Sequence, residues 1–325
     1  MLPRSRLPRA VALLAVLGLT MLGLTAPVEA KPAKDPRRTQ GLFVDPLMPA
    51  YQQGGTYRAE IGKRPQALWL SSDYYSRGQV TGVVKNYTAR AKRAKKTPML
   101  VVYSIPDRDC GGASQGGLPG AAAYKSWVRA VANGLRGSKS LLVLEPDAIP
   151  FYGNAGCQNA SGRLGLIRYA AKVLSRTGTW VYLDAGHSNW TPYDGRAALL
   201  KRAGIQFARG FSTNVSNFRP LADEKTYAST LLRDLRGLGV KGARYVVDTS
   251  RSGAVPSSDG NDVCNPPWAR VGAKPRLAFK GAFDGTLWVK HPGESDGDYD
   301  PNRDCHGGPP SGQWSNALAD GLLNR

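Results

Sequence analysis

Histidine is scarce in this 325-residue chain, with His187, His291 and His306 making up all three. No two of the four cysteines, Cys110, Cys157, Cys264 and Cys305, lie within four residues of each other. Zinc sites draw on close pairs of such ligands, so no metal is expected, and nothing in the sequence calls for a cofactor. Long apolar runs are missing beyond residue 26. A membrane span needs about 20 apolar residues, so the mature chain is expected to have no membrane partner. Acids are outnumbered, 24 against 44 Lys and Arg, for a formal net charge of +20. Such a charge invites nucleic acid. The cations, however, gather in residues 31–38 and 90–96 without an aromatic-rich RNA motif or a recognition helix, so no nucleic-acid partner is expected. A solvated helix face, with long-range attraction to anionic walls or acidic matrix polymers, accounts for them better. Low-complexity linkers and internal repeats are also missing after residue 40.

What is present starts with an export signal. Residues 1–30 combine Arg4, Arg6 and Arg9, an apolar run over 10–26 and the small-residue exit Val28-Glu-Ala30, which together read as a secretory signal peptide. Ser5 separates Arg4 from Arg6, so the adjacent arginines of the folded-export route are missing. Removing the three Arg and one Glu of this segment leaves a mature charge of +18. The mature protein is expected to be secreted, soluble and monomeric, beginning with a basic tail over 31–40. An even number of cysteines in an exported protein reads as two disulfides, and spacing alone does not decide their pairing.

Residues 41–325 are expected to form a single catalytic domain, since 42% hydrophobic composition can fill one large core. Seven short segments rich in apolar and β-branched residues (67–70, 99–105, 141–145, 180–184, 206–211, 244–248 and 286–290) are predicted strands. Helical spacing runs over 80–95, 121–135, 164–174 and 224–235. Alternation of this kind means parallel strands joined by right-handed crossovers. Seven strands favour an irregular parallel β/α barrel of the α/β class over an open doubly wound sheet. Working residues of such barrels gather at the carboxyl ends of the strands.

Carboxylates recur at those ends: Asp107 and Asp109, Asp147, Asp184, Asp248, Glu294 and Asp296. Helix capping would explain about half of them. It does not explain the rings that accompany them, Trp69, Tyr103, Trp190 and Tyr193, which suit stacking on sugars, although each alone could equally fill a core. Cleaving a glycosidic bond needs one carboxyl that stays protonated and a polar surround that activates water on the other sugar face. In Leu141-Leu-Val-Leu-Glu-Pro-Asp147 the acid leaves an apolar strand, where desolvation raises its pKa and nearby Asp109 opposes its ionisation. Asp147 is the natural general acid.

At these residues the chain resembles glycoside hydrolase family 6, the inverting cellulases. The similarity runs through Val102-Tyr-Ser-Ile-Pro-Asp-Arg-Asp-Cys110, Leu144-Glu-Pro-Asp147 and Tyr182-Leu-Asp-Ala-Gly-His-Ser-Asn-Trp190. It continues through Gly210-Phe-Ser-Thr-Asn-Val-Ser-Asn-Phe218, Val247-Asp-Thr-Ser-Arg-Ser-Gly253 and Trp288-Val-Lys-His-Pro-Gly-Glu-Ser-Asp-Gly297. By this resemblance Asp147 is the proton donor, Asp109 keeps it protonated and helps organise the water, and Tyr103 lies under the distorted sugar. Ser114 holds the water, and Asp296 matches the residue often proposed as base. Trp69, His187, Trp190, Asn217, Lys290 and Glu294 match positions that line the glucan cleft. The family's disulfide order would pair Cys110 with Cys157 and Cys264 with Cys305.

Two positions depart from the family pattern. Val263 stands where a cleft tryptophan commonly precedes the cysteine, and Tyr193 replaces another frequent tryptophan. Eight residues separate Asp296 from Cys305, too few for the long loop that roofs the tunnel of exo-acting relatives. The resemblance therefore implies a secreted endo-β-1,4-glucanase acting on β-glucan with inversion. Two alternatives stand beside it: an inverting hydrolase of another β-glucan, and a basic wall-associated polysaccharide-binding protein without turnover.

Overall fold

The computed structural model describes residues 35–153, 157, 160–255, 262–298 and 305–325. The proposed export signal, and the tail up to residue 34, lie outside the described residues. From Asp35 to Arg325 the chain forms one compact unit.

Eight strands build one sheet in the order β1-β2-β3-β4-β5-β6-β8-β7. They are β1 (Leu68–Leu70), β2 (Met99–Val102), β3 (Leu141–Leu144), β4 (Trp180–Asp184), β5 (Gly210–Thr213), β6 (Arg244–Asp248), β7 (Arg276–Lys280) and β8 (Phe283–Leu287). The pairs β1 to β6 and β6 with β8 are parallel; β7 pairs antiparallel with β8.

Side-chain alternation explains why these strands are apolar throughout. Leu100, Val102, Leu142, Leu144, Val181 and Leu183 point outward into the core shared with the helices. Their neighbours Met99, Val101, Leu141, Val143 and Tyr182 point inward and pack against Val246, Leu287 and Val289 from the far side of the curled sheet. Ala67 N donates to Trp288 O at 3.2 Å, and Trp69 Nε1 to Val289 O at 2.7 Å, so the two ends of the curl meet.

The outer layer comprises α1 (Arg77–Arg93), α2 (Ala121–Leu135), α3 (Ala160–Ser175), α4 (Arg196–Arg202) and α5 (Leu221–Gly237), with α6 (Asn316–Leu323) near the C-terminus. A capping box between Ser76 and Gln79 starts α1. Helices α1 and α2 approach closely because Gly134 faces Val84: a Cβ there would lie 2.6 Å from Val84 Cβ. Among the described residues no helix is long and apolar enough to cross a membrane.

The α/β class and parallel curled architecture agree with expectation, but the strand count is eight rather than seven. The additional strand β7 lies at the sheet edge, is only half-buried, and joins β8 through Gly281 and Ala282. Two predicted strands shift. β5 begins at Gly210 because 205–207 is a short 3-10 turn, and the expected 286–290 strand is realised as Phe283–Leu287. The tail expected to reach residue 40 is tied down from Asp35 onward. Arg37 is 3% exposed, donates to Ser140 O and Gly178 O, and lies 4.0 Å over the Trp180 ring. Charge alone suggested a solvated tail, but guanidinium stacking and buried carbonyls hold this part in place.

Candidate active site

A cleft of about 1630 Å³ opens at the carboxyl ends of the strands. That exceeds the roughly 300–1,000 Å³ typical of small-molecule pockets and suits an oligomeric ligand. All eleven candidate residues for chemistry and sugar contact line it: Asp147, Asp109, Asp296, Tyr103 and Ser114, with Trp69, His187, Trp190, Asn217, Lys290 and Glu294. Among the other strand-end acids, Asp107, Asp184 and Asp248 do not line the cleft. Asp248 accepts the backbone N–H groups of Ser216, Ser250, Val289 and Lys290, so it ties together the loops that follow β5, β6 and β8.

Asp147 leaves β3 after Glu145-Pro146 with a positive φ of 66°, which turns its partly buried carboxyl into the cleft. Burial pushes its pKa well above the ordinary value, and the charges of Asp184 and then Asp109 push it further, against a smaller opposing contribution from Tyr103. Asp184 Oδ2 accepts Asp147 N at 2.9 Å, and Tyr103 Oη approaches Asp147 Oδ2 at 3.5 Å. Asp184 is itself buried and shifted up to about 7, and each of the two carboxyls opposes the ionisation of the other. Beneath them Glu145 accepts Ser104 N and Ile105 N, at 3.0 and 3.1 Å from Oε2. This fixes the backbone that follows Tyr103.

The loop after β2 is organised by Arg108. Its guanidinium reaches Ser114 O at 2.7 Å, Ser71 Oγ at 2.8 Å, Gln115 O at 3.0 Å and Asp73 Oδ2 at 2.6 Å. Gly117 makes the return possible, since any side chain there would run into Ile105 O. Within this loop Asp109 Oδ2 accepts Ser114 N at 2.7 Å, and Ser114 Oγ meets Ser311 Oγ at 2.8 Å. Asp109 and Ser114 therefore form one rigid unit facing the cleft.

The opposite wall is cationic. Asp296 pairs with Arg251 Nη1 at 2.6 Å and Lys290 Nζ at 3.2 Å, and accepts Asn265 N at 3.0 Å. Burial alone would raise its pKa, but Arg251 and Lys290 outweigh burial and leave it below the usual value. Next to it His291 bridges Glu294 Oε1 at 2.7 Å and Ala67 O at 2.6 Å. Both partners can act as acceptors, so an imidazolium satisfies both contacts. Burial works against that charge, yet Glu294 more than compensates and raises the His291 pKa.

Aromatic rings flank these carboxylates. Trp69 and Tyr103 meet edge to face at 5.4 Å on one side of the cleft. Trp190 packs edge-on to Phe151 at 4.8 Å and against His187 at 5.5 Å on the other. Burial and the nearby Arg219 and Arg196 lower the His187 pKa to about 3, which keeps the ring neutral. Tyr193 is not among the cleft-lining residues; its ring meets Tyr227 at 4.9 Å and packs on the main core. Val263 does line the cleft and is 47% exposed. Among the described residues no cluster of His, Cys, Asp and Glu is arranged to hold a metal.

Both disulfides form with the pairing implied by the resemblance, Cys110 with Cys157 and Cys264 with Cys305. Sequence reasoning passed over Arg251, Arg108 and His291 as contributors and did not pair Asp184 with Asp147. Arg251 sits inside one of the quoted motifs, and Asp184 stood among the strand-end acids, so their sequence signals existed. Arg108 and His291 also lie within quoted segments, 102–110 and 288–297, and His291 is one of three histidines in the chain.

Comparison with known proteins agrees with this geometry. The family model for glycosyl hydrolases family 6 matches residues 47–325. Endoglucanase A of Cellulomonas fimi is 39% identical over 292 residues, which is 87% of this chain and 61% of that protein. The chain thus spans less than two thirds of that relative's length. Endoglucanase 1 of Streptomyces halstedii is 32% identical over 88% of this chain and 90% of its own. Among solved structures, the endoglucanase Cel6 of Mycobacterium tuberculosis, in complex with methyl-cellobiosyl-4-deoxy-4-thio-β-D-cellobioside, superposes with a TM-score of 0.78. It is 34% identical, over 89% of this chain and 98% of that one. With its fold, its cleft and its sequence in agreement, this chain belongs to glycosyl hydrolases family 6.

Proposed function

We propose that this protein is an exported endo-β-1,4-glucanase that hydrolyses β-glucan in one displacement with inversion. The observation that carries this reading is Asp147, a carboxyl placed in the cleft and kept protonated by burial and by the charges of Asp184 and Asp109. Trp69 and Trp190 supply platforms for sugars on either side, Tyr103 supports the reacting ring, and His187, Asn217, Lys290 and Glu294 contact hydroxyls. Asp147 gives its proton to the leaving glycosidic oxygen as the bond to the anomeric carbon breaks. Water, placed by Ser114 and Asp109, attacks that carbon from the opposite face and gives up its proton to the Asp109 carboxylate, from which it passes to solvent. Asp296, tied to Arg251 and Lys290, is a weak proton acceptor and serves to order this wall of the cleft. The eight-residue link from Asp296 to Cys305 supports an open cleft and internal attack. Exposed Val263 favours, as a second reading, a different β-glucan on the same machinery.

Viscosity and reducing ends measured together on soluble substituted cellulose test this. An endo enzyme drops the viscosity early, before many ends appear, and Asp147→Asn lowers the rate by about a hundredfold or more. Binding without released ends would contradict hydrolysis. Ends accumulating at unchanged viscosity would contradict internal attack, and preference for a mixed-linkage glucan would favour the second reading.

A further inference from the structure

Charge on this molecule is polarised along the barrel. Connections at the amino ends of strands β2 to β6 are 94–98, 136–140, 176–179, 203–209 and 238–243, and together they contain no Asp or Glu. They do contain Lys95, Lys96, Arg136, Lys139, Arg176 and Lys241, all exposed, and none of these six is ion-paired with a described residue. The parallel registers that run from Met99 through Leu141 to Trp180, and from Tyr182 through Gly210 to Arg244, place these connections along one rim. Asp35, whose field reaches Lys139, is already held bidentately by Arg37. Cleft acids Asp73, Asp109, Asp147, Asp262, Glu294 and Asp296 sit at the other rim.

Helix dipoles favour cations in the last turn of a helix, which accounts for Lys92 and Arg93 of α1 or Lys201 and Arg202 of α4. They extend to Arg136 and Arg176, which directly follow the last residues of α2 and α3, but not to Lys139 or Lys241, and Lys95 and Lys96 add two more cations past the cap of α1. We infer that the rim opposite the cleft is an attachment surface for a carboxylate-bearing polysaccharide. This does not rest on the hydrolytic reading. Cations spread over successive turns, none of them lining the hollow of about 260 Å³ beside Val240, Gly242 and Ala243, suit a polymer bearing one negative charge per sugar better than a single small anion. Nucleic acid would also want open rings, but Trp180 at this end is covered by Arg37 at 4.0 Å and Arg209 at 3.4 Å. A membrane would want inserted apolar groups; of the large apolar side chains exposed among the described residues, Leu238 belongs to these connections.

Electrophoresis of the full chain through gels containing polygalacturonate, with fully methyl-esterified pectin as the neutral control, tests the proposal. The wild type is expected to be retarded by polygalacturonate alone, and the retardation should fade as salt rises. The triple variant Lys95→Glu, Lys96→Glu, Lys139→Glu should bind at least about tenfold more weakly, with an unchanged melting curve and unchanged hydrolysis of a soluble oligosaccharide. Equal retardation by the neutral pectin, or by the triple variant, would overturn the assignment. Stronger retention by RNA or by phosphatidylserine vesicles than by polygalacturonate would overturn it too.

Discussion

Asp147 is held protonated by burial and by two charged neighbours of unequal weight, Asp184 and then Asp109, and this order carries a prediction. Activity that needs Asp147 protonated is lost as pH rises through its folded-state pKa. Asp184→Asn removes the larger of the two charges that raise that value, so the alkaline limb of kcat/KM should move to lower pH. Stability provides a second readout. The Asp184 pKa is raised to about 7, so its contribution is complete below the ordinary carboxylate value of 3.8 and is lost as pH climbs towards 7. The Asn variant should therefore gain on the wild type in thermal melts at pH 8 relative to pH 4. An unmoved limb would show that Asp109 and burial suffice. Asp147 was legible in the sequence because an apolar strand followed by Glu-Pro-Asp announces a desolvated acid. Its chief charged neighbour was not, because Asp184 reaches Asp147 N only through the parallel pairing of β3 with β4.

At the level of elements, the cleft is built from loops that the disulfides close. Cys110–Cys157 spans 47 positions and encloses Asp147; Cys264–Cys305 spans 41 and encloses Lys290, Glu294 and Asp296. Loop-closure entropy puts each near about 4 kcal/mol before strain is deducted. Reduction with the thiols then blocked should lower the melting temperature by on the order of 10 °C. Activity should fall at temperatures where the circular dichroism of the helices is still native, because the loops loosen before the barrel does. Simultaneous loss of both signals would mean that the bridges hold the barrel itself. Helices and buried strands were readable from periodicity, and 121–135 was matched residue for residue by α2. Edge strand β7 was not, since Arg276-Leu-Ala-Phe-Lys280 buries too little to leave an apolar run. The shift of β5 has a similar origin: Gln206 and Phe207 belong to a 3-10 turn that follows α4, and local apolar content cannot distinguish such a turn from a strand start.

Across the whole molecule, net charge could be counted from composition, but its sidedness needed the topology. Cations scattered through the sequence at 95, 136, 176 and 241 come to one rim because each precedes a parallel strand. The same topology gathers Asp109, Asp147 and Asp296, far apart in the chain, around one cleft, and a single displacement depends on that gathering. Proton NMR of a β-1,4-linked cello-oligosaccharide, recorded during hydrolysis and before mutarotation, tests this account most directly. A proton donor on one face of the sugar and water placed on the other predict the α-anomer as the first product. The β-anomer appearing first would mean a covalent intermediate and two displacements, and would contradict it.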